Sequence, residues 1–194
     1  KIVNIVVSVQ HSEKVPLEDV RSVIKTIIGR VIPSNYVDEK TEYFINHAGT
    51  FILGGALADA GTVGRKIVAD SYGGAARVGG GAYSGKDYTK VDRSAAYFAR
   101  FVAKNVVANN LASSCEVSVA YVIGKNEPLA VDIIHNGGST YKIKKFIERN
   151  FDFSVSNIIE SLDLKNVDYT KTTYLGHYGK NYLPWEKLKT VSFE

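Results

Sequence analysis

The sequence predicts an α+β protein, and three observations carry that expectation. A β-branched apolar run opens the chain. Two long stretches place apolar residues at helical spacing. Strand-like and helix-like segments then alternate without the regular spacing of βαβ units.

Taken in order, Ile2 to Val9 is β-branched and reads as a strand buried on at least one face. Gln10-His11-Ser12 ends it. His11 could serve catalysis, but a lone histidine at a strand end is more often structural. Pro16 stands at a helix start. Val20, Val23, Ile24, Ile27, Ile28 and Val31 then predict a core-packing amphipathic helix over 17–30. Tyr43 to Asn46 and Phe51 to Leu53 read as short strands about a turn at His47-Ala48-Gly49. Ile67-Val68-Ala69 reads as a third. A helix is predicted from Asp87 to about Leu111, with Val91, Ala95, Phe98, Ala99, Val102 and Val106 as its apolar face. If it begins that early, Lys86 and Lys90 share one face at its N-terminus, where backbone N–H groups favour anions. Cys115 to Ile123 and Leu129 to Ile134 form a predicted hairpin through 124–128. Helices follow over about 142–150 and 155–162, the second capped by Ser154 or a neighbour. The tail is aromatic, with Tyr169, Tyr174, Tyr178, Tyr182 and Trp185, and is expected to pack on the body rather than bind bases.

Asp59 to Asp92 is the chemical centre of the chain. Its glycines fall in separated groups, and Arg65, Lys66, Arg77, Lys86 and Lys90 are interleaved with Asp59, Asp70, Asp87 and Asp92. Glycine lets backbone N–H groups approach a ligand, lysine and arginine suit phosphate oxygens, and carboxylates among cations suit magnesium. The combination predicts a polyphosphate site. Plain turns and solvated charges would give a similar composition, but four separated glycine groups close together (Gly54-Gly55, Gly73-Gly74, Gly79 to Gly81 and Gly85) weigh against them. Neither standard nucleotide motif is complete. Gly80, Gly85 and Lys86 fit a P-loop spacing, but Asp87 replaces the Ser or Thr and no apolar strand precedes. The dinucleotide pattern begun at Gly79 and Gly81 ends on Ser84. Phe51, just upstream, could pack a flat base or simply fill a core.

The bulk numbers set bounds. A chain of 194 residues suffices for one or two domains. Net charge is +4, mild enough for lysines around a phosphate site to explain it, and no basic stripe with exposed aromatics points to nucleic acid. No apolar run approaches the roughly 20 residues that span a bilayer. The lone Cys115 cannot form an internal disulfide, which fits a reducing cytoplasm. Opening at Lys1 inside an apparent strand, without methionine, leads us to expect a fragment or processed piece.

With these residues laid out, G-G-A-L-A-D-A-G-T-V-G-R-K (54–66), G-G-G-A-Y-S-G-K-D (79–87) and K-V-D-R-S-A-A-Y (90–97) strongly resemble the S-adenosylmethionine synthetases, or methionine adenosyltransferases. The glycine-rich nonapeptide is one of that family's signatures. S-V-Q-H (8–11), Y-F-I-N (43–46), G-H-Y-G (176–179) and L-P-W-E (183–186) extend the resemblance along the chain, as the latter half of a family member. No G-H-P-D-K, G-D-Q-G or D-x-K-S-Q segment is present. In the family those segments supply a catalytic histidine, a magnesium aspartate, potassium ligands, and ATP and methionine contacts. The chain is therefore expected to carry part of an active site.

The resemblance implies a fold of three similar α+β units about a pseudo-threefold, interleaved in sequence. Residues 1–53 would end the central region. Residues 54–194 would form the C-terminal region, with the glycine-rich site at 54–94 and a helix-strand-helix body at 95–194. It also implies roles. Asp59 would contact ATP and methionine. Arg65, Lys66 and Lys86 would hold the triphosphate and serve catalysis. Ala82 would present backbone to the nucleotide, Lys90 would lie by methionine, and Asp92 would bind magnesium. Phe51 would stack near adenine, with Thr50 at an ATP-side position that is usually basic. Ala56-Leu57-Ala58 replaces Pro-Gln-Gly, and His47-Ala48 replaces Pro-Thr. The implied reaction joins the adenosyl group of ATP to methionine sulfur and cleaves the triphosphate, with Mg2+ and K+ as cofactors. Implied partners are ATP, L-methionine and a second copy, as a homodimer or dimer of dimers with sites at the interface. A non-catalytic ATP or polyphosphate binder is the alternative, and a basic nucleic-acid-binding module is a distant third.

Overall fold

The computed structural model describes residues 1–191. Helices and strands are mixed without parallel βαβ repetition, which is the predicted α+β class. The chain divides into two compact units, Lys1–Gly61 and Thr62 onward. Among the described residues, no helix is long and apolar enough to cross a membrane.

In the first unit, β1 (Asn4–Val7) pairs in parallel with β2 (Glu42–Ile45), and α1 (Leu17–Val31) connects them. Their small core is Ile5, Ile28 and Ile45, with Ile24 and Tyr43 packed against it. The expected core stripe of α1 is only partly buried. Val20 and Ile28 are enclosed, whereas Val23, Ile27 and Val31 are exposed. A sheet of two short strands is too narrow to cover a helix of 15 residues.

Asn46, at positive φ, turns the chain out of β2, and its side-chain amide brackets Val9 by accepting from its N–H and donating to its carbonyl. The expected strand 51–53 does not form. Instead the 8–11 segment grips this stretch largely through side chains. The His11 N–H donates to the Phe51 carbonyl at 2.9 Å, and the Phe51 N–H donates to His11 Nε2 at 3.1 Å. Gln10 donates to the Ile52 carbonyl at 2.8 Å. One backbone bond makes no ladder, so the segment stays irregular. His11 is thus a structural clamp.

The second unit is built on α3 (Val91–Ala108). Ala95, Phe98, Val102 and Val106 lie on its buried side, as predicted. It packs on the antiparallel hairpin of β3 (Ser114–Ala120) and β4 (Ala130–Asn136). Cys115, Val117 and Val119 alternate inward with Val131 and Ile133. α4 (Thr140–Asn150) and α5 (Val155–Ser161) close the core through Ile143, Phe146, Ile147 and Ile158. Ser154 caps α5, accepting from the Asn157 N–H.

The aromatic tail folds onto α3, with Trp185 fully buried and stacked on Tyr97 at 3.7 Å between ring centroids. Tyr174 and Tyr182 remain exposed. Glu186, also buried, accepts from Arg100 at 3.1 and 3.0 Å, from Lys104 at 2.9 Å and from the Gly179 N–H at 2.7 Å. Burial raises its pKa, but these donors outweigh it and leave the carboxyl below its usual range.

Two predicted elements of the glycine-rich region are corrected. Ile67 to Asp70 is a single helical turn, α2, not a strand. The Asp70 N–H donates to the Lys66 carbonyl at 2.9 Å, and the Ser71 hydroxyl to the Ile67 carbonyl at 2.6 Å. These local bonds hold the turn, and among the described residues no strand pairs with it. The long helix also begins later than expected. Asp87 accepts from both the N–H and the hydroxyl of Thr89, and Lys90 is extended, so the helix starts only at Val91. Lys86 and Lys90 therefore do not share a helical face.

Candidate functional site

The second unit brings together the segments 62–66, 79–87 and 90–97. Their approach depends on glycine. At Gly64, with φ +76°, a Cβ would strike the Ala82 side chain. At Gly81 a Cβ would strike the Asp92 carboxyl group. No larger residue fits either crossing. The result sets Lys86 Nζ 3.3 Å from Asp92 Oδ2 and 2.8 Å from the Ala82 carbonyl it donates to. Three of the predicted site residues, Ala82, Lys86 and Asp92, are thus in one cluster.

Lys90 is drawn aside to Asp87, with Nζ and Oδ2 2.9 Å apart. The Thr89 hydroxyl and the Lys90 ammonium hold the Asp87 carboxyl far below its ordinary range. Arg65 and Lys66 stand exposed just before α2. In the first unit Thr50, Phe51 and Asp59 are exposed, and Asp59 accepts from the Gly61 N–H at 2.9 Å. Phe51 is partly exposed and belongs to neither core cluster.

Beneath the loop lies a buried polar chain that residue-type reasoning did not single out. Arg93, 6% exposed, donates through Nη1 to the Lys86 carbonyl at 2.7 Å and through Nε to the Tyr97 hydroxyl at 3.0 Å. That hydroxyl lies 2.7 Å from His177 Nδ1, and His177 Nε2 lies 3.4 Å from Ser84 Oγ. Arginine can only donate, so the Tyr97 oxygen accepts from Arg93, and its own hydrogen is free for Nδ1. Both ends of the chain terminate on the glycine-rich loop.

Burial pushes His177 down to about 4, with the positive charges of Arg93 and Lys180 adding to it, so the ring is neutral near pH 7. Burial likewise raises Tyr97 and Tyr83. The signal was present in the sequence. Arg93 falls among the inward-facing residues of α3, and His177 falls in an aromatic tail. Both positions demand a partner when buried.

Residues 53–187 match the family profile described as S-adenosylmethionine synthetase, C-terminal domain. The chain belongs to the S-adenosylmethionine synthetase family. The matched span encloses the glycine-rich loop, α3 and the tail that grips them.

Family membership implies magnesium and potassium. The described residues hold no cluster of three or more His, Cys, Asp or Glu able to cage a metal ion. Asp92 offers a single, half-exposed carboxylate. Magnesium is commonly held by one or two carboxylates, with substrate phosphates and water completing its octahedron. Asp92 fits an ion shared with a polyphosphate. The described residues define no comparable place for potassium.

Proposed function

We propose that this chain contributes the triphosphate-holding part of a methionine adenosyltransferase active site. The observation that supports it best is the pairing of the Lys86 ammonium with Asp92, on a glycine loop pinned from below by Arg93 and His177. The reaction forms a bond from methionine sulfur to the ribose C5′ of ATP and breaks the C5′–oxygen bond. The electron pair leaves with triphosphate, and sulfur becomes a sulfonium. Water then cleaves triphosphate to pyrophosphate and phosphate. No protein nucleophile is needed, and what the chemistry demands is alignment and fixed positive charge on the leaving group.

Lys86 supplies that charge from a fixed position, and the exposed Arg65 and Lys66 add to it. The Ala82 carbonyl holds the Lys86 ammonium in place before substrate arrives. Lys90, once released from Asp87, would serve the methionine side, while Asp59, Thr50 and Phe51 would serve the nucleotide. Asp92 would hold magnesium against the triphosphate oxygens, where the ion offsets their charge. The test is formation of S-adenosylmethionine from ATP and methionine, with magnesium and potassium, by the complete natural protein. Product is expected, and its absence under those conditions would sink the reading.

A further inference from the structure

We propose that Arg93 is the positioning residue for Lys86: its buried guanidinium fixes the backbone of the glycine-rich loop and so sets where the Lys86 ammonium stands. The inference rests on the reading of Lys86 as a triphosphate ligand and goes beyond it, since Arg93 touches no substrate.

Four observations carry it. Arg93 is enclosed, yet among the described residues it forms no ion pair with a carboxylate, unlike Arg100 with Glu186. A buried charge left without a counter-ion is costly unless each of its donors is satisfied. Here every donor atom of the fork has a neutral oxygen: the Lys86 carbonyl at 2.7 Å, the Tyr97 hydroxyl at 3.0 Å and the Thr172 hydroxyl at 3.4 Å. The guanidinium also lies over the Tyr169 ring, 4.1 Å from its centroid.

The shortest of those bonds goes to the loop, and to the residue whose side chain is the cation of the site. One planar group thus ties α3, the tail and the loop together. A lysine at position 93 would keep the charge, but its three donors share one nitrogen, which cannot replace bonds made from the three separate nitrogens of a planar fork. If the fork matters, lysine will not rescue. If only the charge matters, lysine will.

The experiment compares Arg93→Lys and Arg93→Met with the parent in the complete natural protein, by steady-state kinetics and by binding of inorganic tripolyphosphate. Ile143→Ala, a fully buried site on α4 with no part in the Arg93 chain, is the control for lost stability. We expect both Arg93 variants to lose kcat by about tenfold or more and to weaken tripolyphosphate by a similar factor, because small misplacement of a catalytic group is costly. The control should melt earlier but turn over within about twofold of the parent, since its site geometry is untouched. Should neither Arg93 variant fold, Tyr97→Phe loosens the same fork while keeping the ring, and a fall in kcat is again expected.

Arg93→Lys at the parent's kcat and tripolyphosphate affinity would overturn the inference. So would equal losses in Arg93→Lys and Ile143→Ala at matched melting temperature. A parent that makes no S-adenosylmethionine would defeat the proposed function on its own, and tripolyphosphate affinity would then still decide the role of Arg93.

Discussion

The two ends of the glycine-rich stretch are built differently. Residues 79–92 lie on a buried polar chain in which Tyr83 is enclosed, Lys86 is half-buried and every buried polar side-chain atom among the described residues has a partner. Residues 54–66 are almost wholly exposed, and their charged residues Asp59, Arg65 and Lys66 stand in solvent. Both ends carry cations of the same type. Only the first holds its cation at a fixed position before a ligand arrives. Fixed charge stabilises a developing anion without reorganisation, whereas exposed side chains must be ordered as they bind. On the proposed function, the difference would give transition-state electrostatics to Lys86 and capture to Arg65 and Lys66.

The largest effect should come from breaking the fixed end. Lys86→Ala is expected to lower turnover by about 100-fold or more, the scale seen when one preorganised donor is removed. The fold should survive, because the ammonium's partners are a loop carbonyl and a half-exposed carboxylate. Near-parent turnover would erase the distinction between the two ends.

Glu186→Ala tests whether the tail is what keeps that end fixed. It strips the counter-ion from Arg100 and Lys104 and should destabilise the second unit by about 3–5 kcal/mol, read by denaturant melts. An unchanged melt would mean that the tail contributes little to holding the loop.

Acid should act on the same region more gently. His177 titrates near 6.5 when unfolded but near 4 in the fold, so the unfolded chain takes the proton first. The stability that comes from its neutral state is complete above about pH 6.5 and lost progressively as pH falls toward about 4. His177→Gln, an uncharged replacement, should flatten that part of the stability profile. A profile as steep as the parent's would exclude His177 as its source.

The smallest change in stability belongs to the exposed end. Arg65→Ala should alter unfolding by no more than about 0.5 kcal/mol, as surface substitutions do, while raising the KM for ATP. A large loss of stability would show that residues 62–66 are held more firmly than their exposure indicates.

Much of this was legible in the sequence for physical reasons that can be stated. Periodicity gave α1, α3, α4 and α5 and the 115–134 hairpin, because burial on one face imposes its spacing on residue choice. The cluster of glycines and lysines gave the loop, because close backbone approach excludes larger side chains, and Gly64 and Gly81 meet that condition. Short segments were less legible. Ile67-Val68-Ala69 has strand-forming residues but no partner strand among the described residues, so a local helical turn won. Asp87 and Thr89 diverted the start of α3 by bonding to each other before the helix could form.

The sequence alone determined the kind of chemistry: a glycine loop with cations and carboxylates at one place, and helices and strands able to carry it. Tertiary structure decided which of those charges act together. Lys86 and Lys90, four residues apart, look equivalent in sequence, yet one is held beside Asp92 and the other is drawn to Asp87. The loop that carries Lys86 is bonded from below by Arg93 and His177, joined through Tyr97; they come from the helix and the tail and meet only when the core closes. Long-range hydrogen bonds leave no spacing in the chain, and so they are visible only once it is folded.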